Sequence, residues 1–362
     1  MKKTPLYDKH VALGAKIIDF GGFLMPVQYE GVKAEHEAVR SAAGIFDVSH
    51  MGEFLCEGKD ALALIQKITT NDASVLVPGK AQYTCMPTKD GGIVDDLLVY
   101  MLAENKYLLV VNASNIEKDW DWISSFAEGD VTLTNQSDDY ALLAVQGPKA
   151  TFALQSLTDA DLDSIKFYNF TQGVFAGVNN VIISATGYTG SGGFELYIPA
   201  DKAAEVWDKV MESGEKVGLA PAGLAARDTL RLEMGYCLYG NDITSETSPL
   251  EAGLGWITKF KKEADFVAKD VLLKQKEAGV QRKLVGLELI DKGVARKDYD
   301  IVDSNNNKIG FVTSGTMSPS LNVAIAMGYV ATDFASEGSE VAVQVRNKSL
   351  KAKVVKFPFL KN

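Results

Sequence analysis

Between residues 82 and 112 the chain reads as three strand-length segments with turn chemistry between them, and this pattern restricts its fold most tightly. Residues 82–88 form the first strand, Lys89-Asp90-Gly91-Gly92 the turn and 93–102 the second strand. Glu104-Asn105-Lys106 then turns the chain into a third strand over 107–112. Strands joined this closely are antiparallel neighbours, because a parallel pair needs a crossover of a dozen residues or more. Helical spacing of Leu62, Ile65 and Ile68 predicts a helix over 59–69. Ser114-x-x-Glu117 has the form of a capping box opening another helix to about 126. A meander with a helix on either side in sequence predicts a compact α+β domain over roughly 55–137.

Beyond it, an apolar run at 140–145 ends in Gln146-Gly147-Pro148, and 180–185 and 193–198 read as strands joined by a glycine-rich connection. Asp201 is expected to cap an amphipathic helix carrying Val206, Trp207 and Val210, and a second helix covers about 222–234. A short helix at 269–276 leads into the basic break Gln281-Arg282-Lys283. After that break, short strands alternate with turns such as Ser304-Asn305-Asn306-Asn307-Lys308, so the last ~80 residues predict a separate all-β unit. At roughly 150 residues per domain, 362 residues correspond to two or three domains.

Thirty-seven basic against 47 acidic side chains leave a formal charge of −10, which opposes a phosphate backbone and argues against nucleic acid as a partner. The three cysteines, Cys56, Cys85 and Cys237, form no CxxC pair and are odd in number, which excludes a complete disulfide framework. His10, His36 and His50 lack zinc-ligand spacing, so no metal is expected. Lys2-Lys3 is followed by Asp8, Lys9 and His10 instead of an apolar stretch, and no apolar run approaches the ~18 residues that span a bilayer. The expectation is a cytoplasmic protein in a reducing compartment, with no membrane.

The chemistry-bearing residues are few. Asp95 and Asp96 are adjacent inside the apolar strand Gly91-Gly92-Ile93-Val94-Asp95-Asp96-Leu97-Leu98-Val99-Tyr100. Alternation sends their carboxylates to opposite faces, so one must be buried or line a cavity, as an active-site acid or as a hydrogen-bonded structural one. Gly187-Tyr188-Thr189-Gly190-Ser191-Gly192-Gly193 lacks the Lys-Ser/Thr ending of a phosphate loop and leads into a strand, so it reads as a β-connection. Glu195, just beyond it, either accepts paired donors from a heterocycle or is solvated. Arg227 and Arg231 share one helix face near Asp228 and Glu233, where surface ion pairing and bidentate ligand binding are both open. Cys237 reads as a buried inert thiol and His50 as structural.

Several segments in order carry a resemblance. They are Phe46-Asp47-Val48-Ser49-His50-Met51-Gly52, Thr70-Asn71-Asp72, the Gly91–Leu97 stretch above, Gln146-Gly147-Pro148 and Gly187-Tyr188-Thr189-Gly190. Pro221-Ala222-Gly223-Leu224-Ala225-Ala226-Arg227-Asp228, Leu238-Tyr239-Gly240-Asn241-Asp242 and Thr313-Ser314-Gly315-x-x-Ser318-Pro319 follow. From Thr4 to about Phe359 the sequence closely resembles the aminomethyltransferase family, the T-protein of the glycine cleavage system. The resemblance implies an α+β, three-domain cloverleaf around a central folate cavity. Its parts would be 1–54 with 138–270 as the folate-binding domain, 55–137 carrying the catalytic acid, and 271–362 as a C-terminal β-barrel or jelly-roll-like domain.

It further implies transfer of the methylene of an aminomethyl group from lipoylated H-protein to tetrahydrofolate as co-substrate. Ammonia, 5,10-methylenetetrahydrofolate and dihydrolipoyl H-protein would be the products. Asp96 matches the family's catalytic carboxylate, Glu195 and Arg227 match positions that hold the pterin, and Tyr83, Tyr100, Asn112, Tyr188 and Tyr236 match further cavity residues. An arginine common near the family's C-terminus has no counterpart after Arg346, where Lys361 is the nearest terminal cation.

Two other readings share the fold. A non-catalytic iron–sulfur maintenance protein would carry a Lys-Gly-Cys-aromatic stretch, whereas this chain has Gly235-Tyr236-Cys237-Leu238. A folate-dependent demethylase with another one-carbon donor differs only at the entrance surface. Lys259, Lys261 and Lys262 form a basic cluster that an acidic partner would meet, and that otherwise reads as a solvated face.

Overall fold

The computed structural model describes residues 1–346 and 348–361. The chain forms two compact units whose segments alternate along the sequence. Met1–Leu64, Ala73–Tyr83 and Leu97–Asp228 make the first; Ile65–Asp72, Thr84–Asp96 and the chain from Thr229 onward make the second.

In the first unit a six-stranded sheet runs in the order Phe170–Phe175, Val178–Ser184, Gly193–Pro199, Tyr140–Gln146, Ala43–Asp47 and Leu219–Pro221. Only the last pair is parallel. Period-two alternation assigns its faces. Phe194, Leu196 and Ile198 join Leu143, Val145 and Ile183 in one buried cluster, closed by Ala203, Val206, Trp207 and Val210 of the helix Ala203–Gly214. Those four lie three and four residues apart and so share a helical face. The intervening residues of the strands face the other way. There Glu195 pairs in register with Ser184 on one side and Ala144 on the other.

The expected meander forms the strands Lys80–Pro87, Ile93–Ala103 and Lys106–Val111, which continue through Gly52–Glu57 to Thr132–Asn135 in a five-stranded sheet. Asn105 takes the left-handed conformation (φ 58°) that its turn needs. In the second unit, six antiparallel strands close into a barrel in the order Arg282–Leu289, Ala324–Ala331, Lys308–Met317, Asp300–Val302, Glu340–Val345 and Lys348–Val355. Leu287, Ile301, Val312, Ala326, Val343 and Val354 belong to one buried cluster drawn from all six strands.

Two helix starts differ from the sequence reading. Ser114 lies in a 3-10 turn, Ala113–Asn115, so the helix Ile116–Ser124 begins after it with no side-chain cap. Asp201 likewise sits in a 3-10 turn, Ala200–Lys202, and the following helix carries Glu205 in its first turn instead. In both places a tighter turn takes up the first backbone groups before α-geometry starts.

Candidate active site

On the Glu195 face of the first unit a chain of hydroxyls ends at a carboxylate. Tyr197 donates to the Tyr100 hydroxyl at 3.1 Å, Tyr100 lies 3.1 Å from Thr186 Oγ1, and Thr186 donates to Glu195 Oε2 at 2.5 Å. Ser184 supports Tyr100 from the side at 3.2 Å. Tyr100 and Tyr197 are fully buried, whereas Glu195 is half-buried. Burial raises the Glu195 carboxyl above the ordinary carboxylate range, against the Thr186 bond and the Arg227 charge, which lower it. Hydrogen bonds in series polarise one another, so this chain fixes the orientation of one acid.

Arg227 belongs to the helix Leu224–Glu233. The start of that helix is held by buried Glu35, which accepts the backbone N–H of Gly223 at 2.8 Å, and those of Tyr29 and Gly31 at 2.6 and 3.0 Å. The Arg227 guanidinium lies 4.7 Å over the Tyr188 ring, a cation–π stack that engages the face of the fork and leaves its edge in plane. His50 is buried edge-on against Phe20 and Phe23, and its Nδ1 has no hydrogen-bond partner among the described residues. Burial first and the Arg227 charge second push its pKa down to about 3, opposed by Asp47, so the ring is neutral at pH 7. Asp47 of the same motif binds Thr4 at 2.6 Å, His10 at 2.8 Å and the Ser49 N–H at 2.9 Å, which ties the N-terminal helix down.

Asp96 and Tyr236 belong to the second unit. Alternation separates the two adjacent acids as expected, with Asp95 fully buried and Asp96 half-buried. Burial pushes the Cys85 and Cys237 thiols up, and the negative charge of Asp96 adds to both shifts. Cys237 is therefore a protonated, inert thiol at neutral pH. Tyr236 is half-buried, and its carbonyl accepts from Arg231 at 3.0 Å. Tyr83 and Asn112, both half-buried, lie in the first unit on the Lys80–Pro87 strand and just past Lys106–Val111.

Two sequence readings are corrected here. Arg231 is 1% exposed and pairs with Asp242 at 2.6 Å, so it is a buried ion pair and not a surface one. Lys262 is buried and donates to the carbonyls of Gln66, Thr69 and Asn71 at 2.7, 2.7 and 3.0 Å, which removes it from the basic cluster; Lys259 and Lys261 stay exposed. A lysine is hard to place from sequence because its stem can bury while its head caps carbonyls. Sequence reasoning also misses Thr186, Tyr197 and Gln146. The available signal is polar side chains on, or just beyond, strands otherwise filled with apolar ones. Among the described residues no group of three or more His, Cys, Asp or Glu is arranged to hold a metal ion.

The GCVT N-terminal domain model matches residues 6–262, and the glycine cleavage T-protein C-terminal barrel domain model matches 282–361. An aminomethyltransferase of Flavobacterium psychrophilum is 60% identical over the whole of both chains, and one of Bacteroides thetaiotaomicron is 57% identical, again over both full lengths. The crystal structure of glycine cleavage system aminomethyltransferase T from Bartonella henselae superposes with a TM-score of 0.93 at 35% identity, covering 99% of this chain and 98% of that one. The chain belongs to the glycine cleavage T-protein family, a class of folate-dependent transferases. It is an aminomethyltransferase of the glycine cleavage system.

Proposed function

We propose that Glu195 and Arg227 hold the pterin of tetrahydrofolate and that Asp96 is the carboxylate of the transfer step. The observation that carries the pterin assignment is the oriented, desolvated Glu195 carboxylate, with Arg227 stacked on Tyr188 on the same unit. A pterin edge offers an amino group and a ring N–H, the donor pair a carboxylate accepts, while a guanidinium edge serves the ring's acceptors. Tyr83 and Tyr236 supply flat aromatic surface for the pterin and aminobenzoyl groups, Tyr188 acts by orienting the Arg227 fork, Asn112 adds a further polar contact, and Tyr100 acts through Thr186.

The donor is aminomethylated, lipoylated H-protein. Its carbon–nitrogen bond breaks and ammonia leaves with one of the two folate N–H protons. The carbon–sulfur bond then breaks as the methylene bridges the two folate nitrogens, and the released lipoyl sulfur takes the other proton as dihydrolipoyl. The carbon is cationic as that bond breaks, and an anionic Asp96 stabilises it. Asp96 also accepts the proton released as folate nitrogen bonds to carbon. Orienting the two substrates supplies up to ~7–11 kcal/mol of barrier lowering in favourable cases. Exclusion of water protects the reactive carbon from hydrolysis.

Three domains, 1–54 with 138–270, 55–137 and 271–362, complete the reading. It is supported by the six-stranded sheet and the barrel, which each draw their strands from one of these ranges, and by the five-stranded sheet, four of whose strands lie in 55–137 while Gly52–Glu57 crosses the boundary. Three free, buried cysteines favour the cytoplasm, and no helix of the described residues is long and apolar enough to cross a membrane.

The test is ammonia release and methylenetetrahydrofolate formation from aminomethyl-loaded H-protein, with folate present and absent. Equal, folate-dependent yields of both products are expected. Asp96→Asn is expected to keep its folate dissociation constant and lose turnover by about 10²–10³-fold, the usual cost of removing one transition-state electrostatic partner. Undiminished turnover would remove Asp96 from the chemistry, and folate-dependent release of formaldehyde equivalents from another donor would favour a demethylase.

A further inference from the structure

The Gln146-Gly147-Pro148 motif has no part in the reaction described so far. Gln146 ends the Tyr140–Gln146 strand, is 2% exposed, and alternation puts its side chain on the Glu195 face of the sheet. Its amide reaches into the connection between Thr186 and Phe194. Nε2 donates to the Thr186 carbonyl at 3.1 Å and, more weakly, to the Phe194 carbonyl at 3.4 Å, while Oε1 accepts the Thr189 hydroxyl at 2.9 Å. Each partner adjoins a residue of the pterin assignment. Thr186 holds the Glu195 carboxylate, Phe194 precedes Glu195, and Thr189 follows Tyr188.

The fit is tight on the amide's own side. A Cβ at Gly187 would overlap Gln146 Oε1, and the Gly187 backbone does not need a left-handed conformation. Glycine at 187 therefore makes room for this one side chain. From another side Arg40 donates to the Thr189 carbonyl and the Ser191 hydroxyl at 2.5 and 2.7 Å, so the glycine-rich connection is gripped at two places. An amide suits the inner grip because it offers donors and an acceptor without a charge to disturb Glu195.

We propose that Gln146 is a positioning residue for tetrahydrofolate, setting the distance between the Glu195 carboxylate and the Tyr188 ring by clamping both ends of the 186–194 connection. This rests on the pterin assignment above. The experiment measures the tetrahydrofolate dissociation constant by calorimetry, with kcat and KM for both substrates, in wild type, Gln146→Leu, Gln146→Glu, Gly187→Ala and the Gln146→Leu/Gly187→Ala double variant.

Both Gln146 variants are expected to weaken folate binding by roughly tenfold, the cost of about 1.4 kcal/mol. The loss should appear in KM for tetrahydrofolate more than in kcat, with KM for H-protein unmoved. Gly187→Ala should act in the same direction by displacing the amide, and adding it to Gln146→Leu should cost nothing further. Unchanged folate binding in a folded Gln146→Leu, or additive losses in the double variant, would overturn the proposal. Should Gln146→Leu fail to fold, Gly187→Ala decides alone, since folate affinity equal to wild type contradicts the clamp. A wild type that binds no tetrahydrofolate refutes the pterin assignment itself, whereas a binding wild type with unmoved variants refutes only the clamp.

Discussion

Arg227 and Arg231 stand four residues apart on one helix, in surroundings that use the guanidinium in opposite ways. Arg231 is buried with its donors consumed by Asp242 at 2.6 Å, the Tyr236 carbonyl at 3.0 Å and Ser314 at 2.8 Å. Asp242 also accepts the Leu238 N–H at 2.9 Å and the Thr313 hydroxyl at 2.5 Å, and Tyr329 donates to its carbonyl at 2.8 Å. Arg227 is half-buried, offers its face to Tyr188, and stands close enough to Glu195 and His50 to move the titration of both. A cation saturated by fixed partners contributes to the fold. One held by its face keeps an edge for a ligand.

Substitution at Arg231 should give the largest effect. Arg231→Met leaves the Asp242 carboxylate buried without its cation, and breaking a buried pair from one side costs about 3–5 kcal/mol. Urea unfolding should show that loss, with folate affinity preserved in the protein that remains folded. Arg227→Ala is the counter-experiment. It should change urea stability by less than about 1 kcal/mol yet weaken tetrahydrofolate binding by about 1.5–3 kcal/mol, the range for hydrogen bonds to a charged group. An Arg227→Ala variant that unfolds easily but binds folate normally would reverse the two roles.

Glu195→Gln sharpens the comparison from the acid's side and should cost roughly tenfold in folate affinity, about 1.4 kcal/mol. Its effect on the unliganded protein has the opposite sign. Burial raises the folded-state pKa of Glu195, so as pH rises through the ordinary carboxylate range the unfolded chain ionises first and stability falls. The substituted amide carries no such penalty, because it does not titrate. The variant's melting temperature should therefore gain on wild type between pH 4 and pH 8, and a gap that is flat or closes with pH would show that Glu195 is not desolvated.

The sequence made this contrast only half legible. Period-two alternation and turn residues located the meander and separated Asp95 from Asp96, because both rules act over a few neighbouring residues. The same locality put Arg227 and Arg231 on one helix face without telling them apart. Their difference is decided by Asp242, Ser314 and Tyr188, up to 83 residues away in sequence. Lys262 escapes the sequence reading for the same reason, since its carbonyl partners lie at 66, 69 and 71. The Thr186–Glu195 bond and the Gln146 clamp depend on strand register, which no short-range pattern states.

The smallest effect should lie at the ring that distinguishes Arg227. Tyr188→Phe keeps the aromatic face, so the stack and folate binding should both remain close to wild type. Tyr188→Leu keeps the bulk but removes the quadrupole, which is worth about 0.5–1 kcal/mol at a partly exposed site. Folate affinity should then fall only severalfold, and the loss should disappear in an Arg227→Ala background, where no cation is left to orient. An equal loss in that background would mean that Tyr188 meets the ligand directly, and that the fork is held by the helix alone.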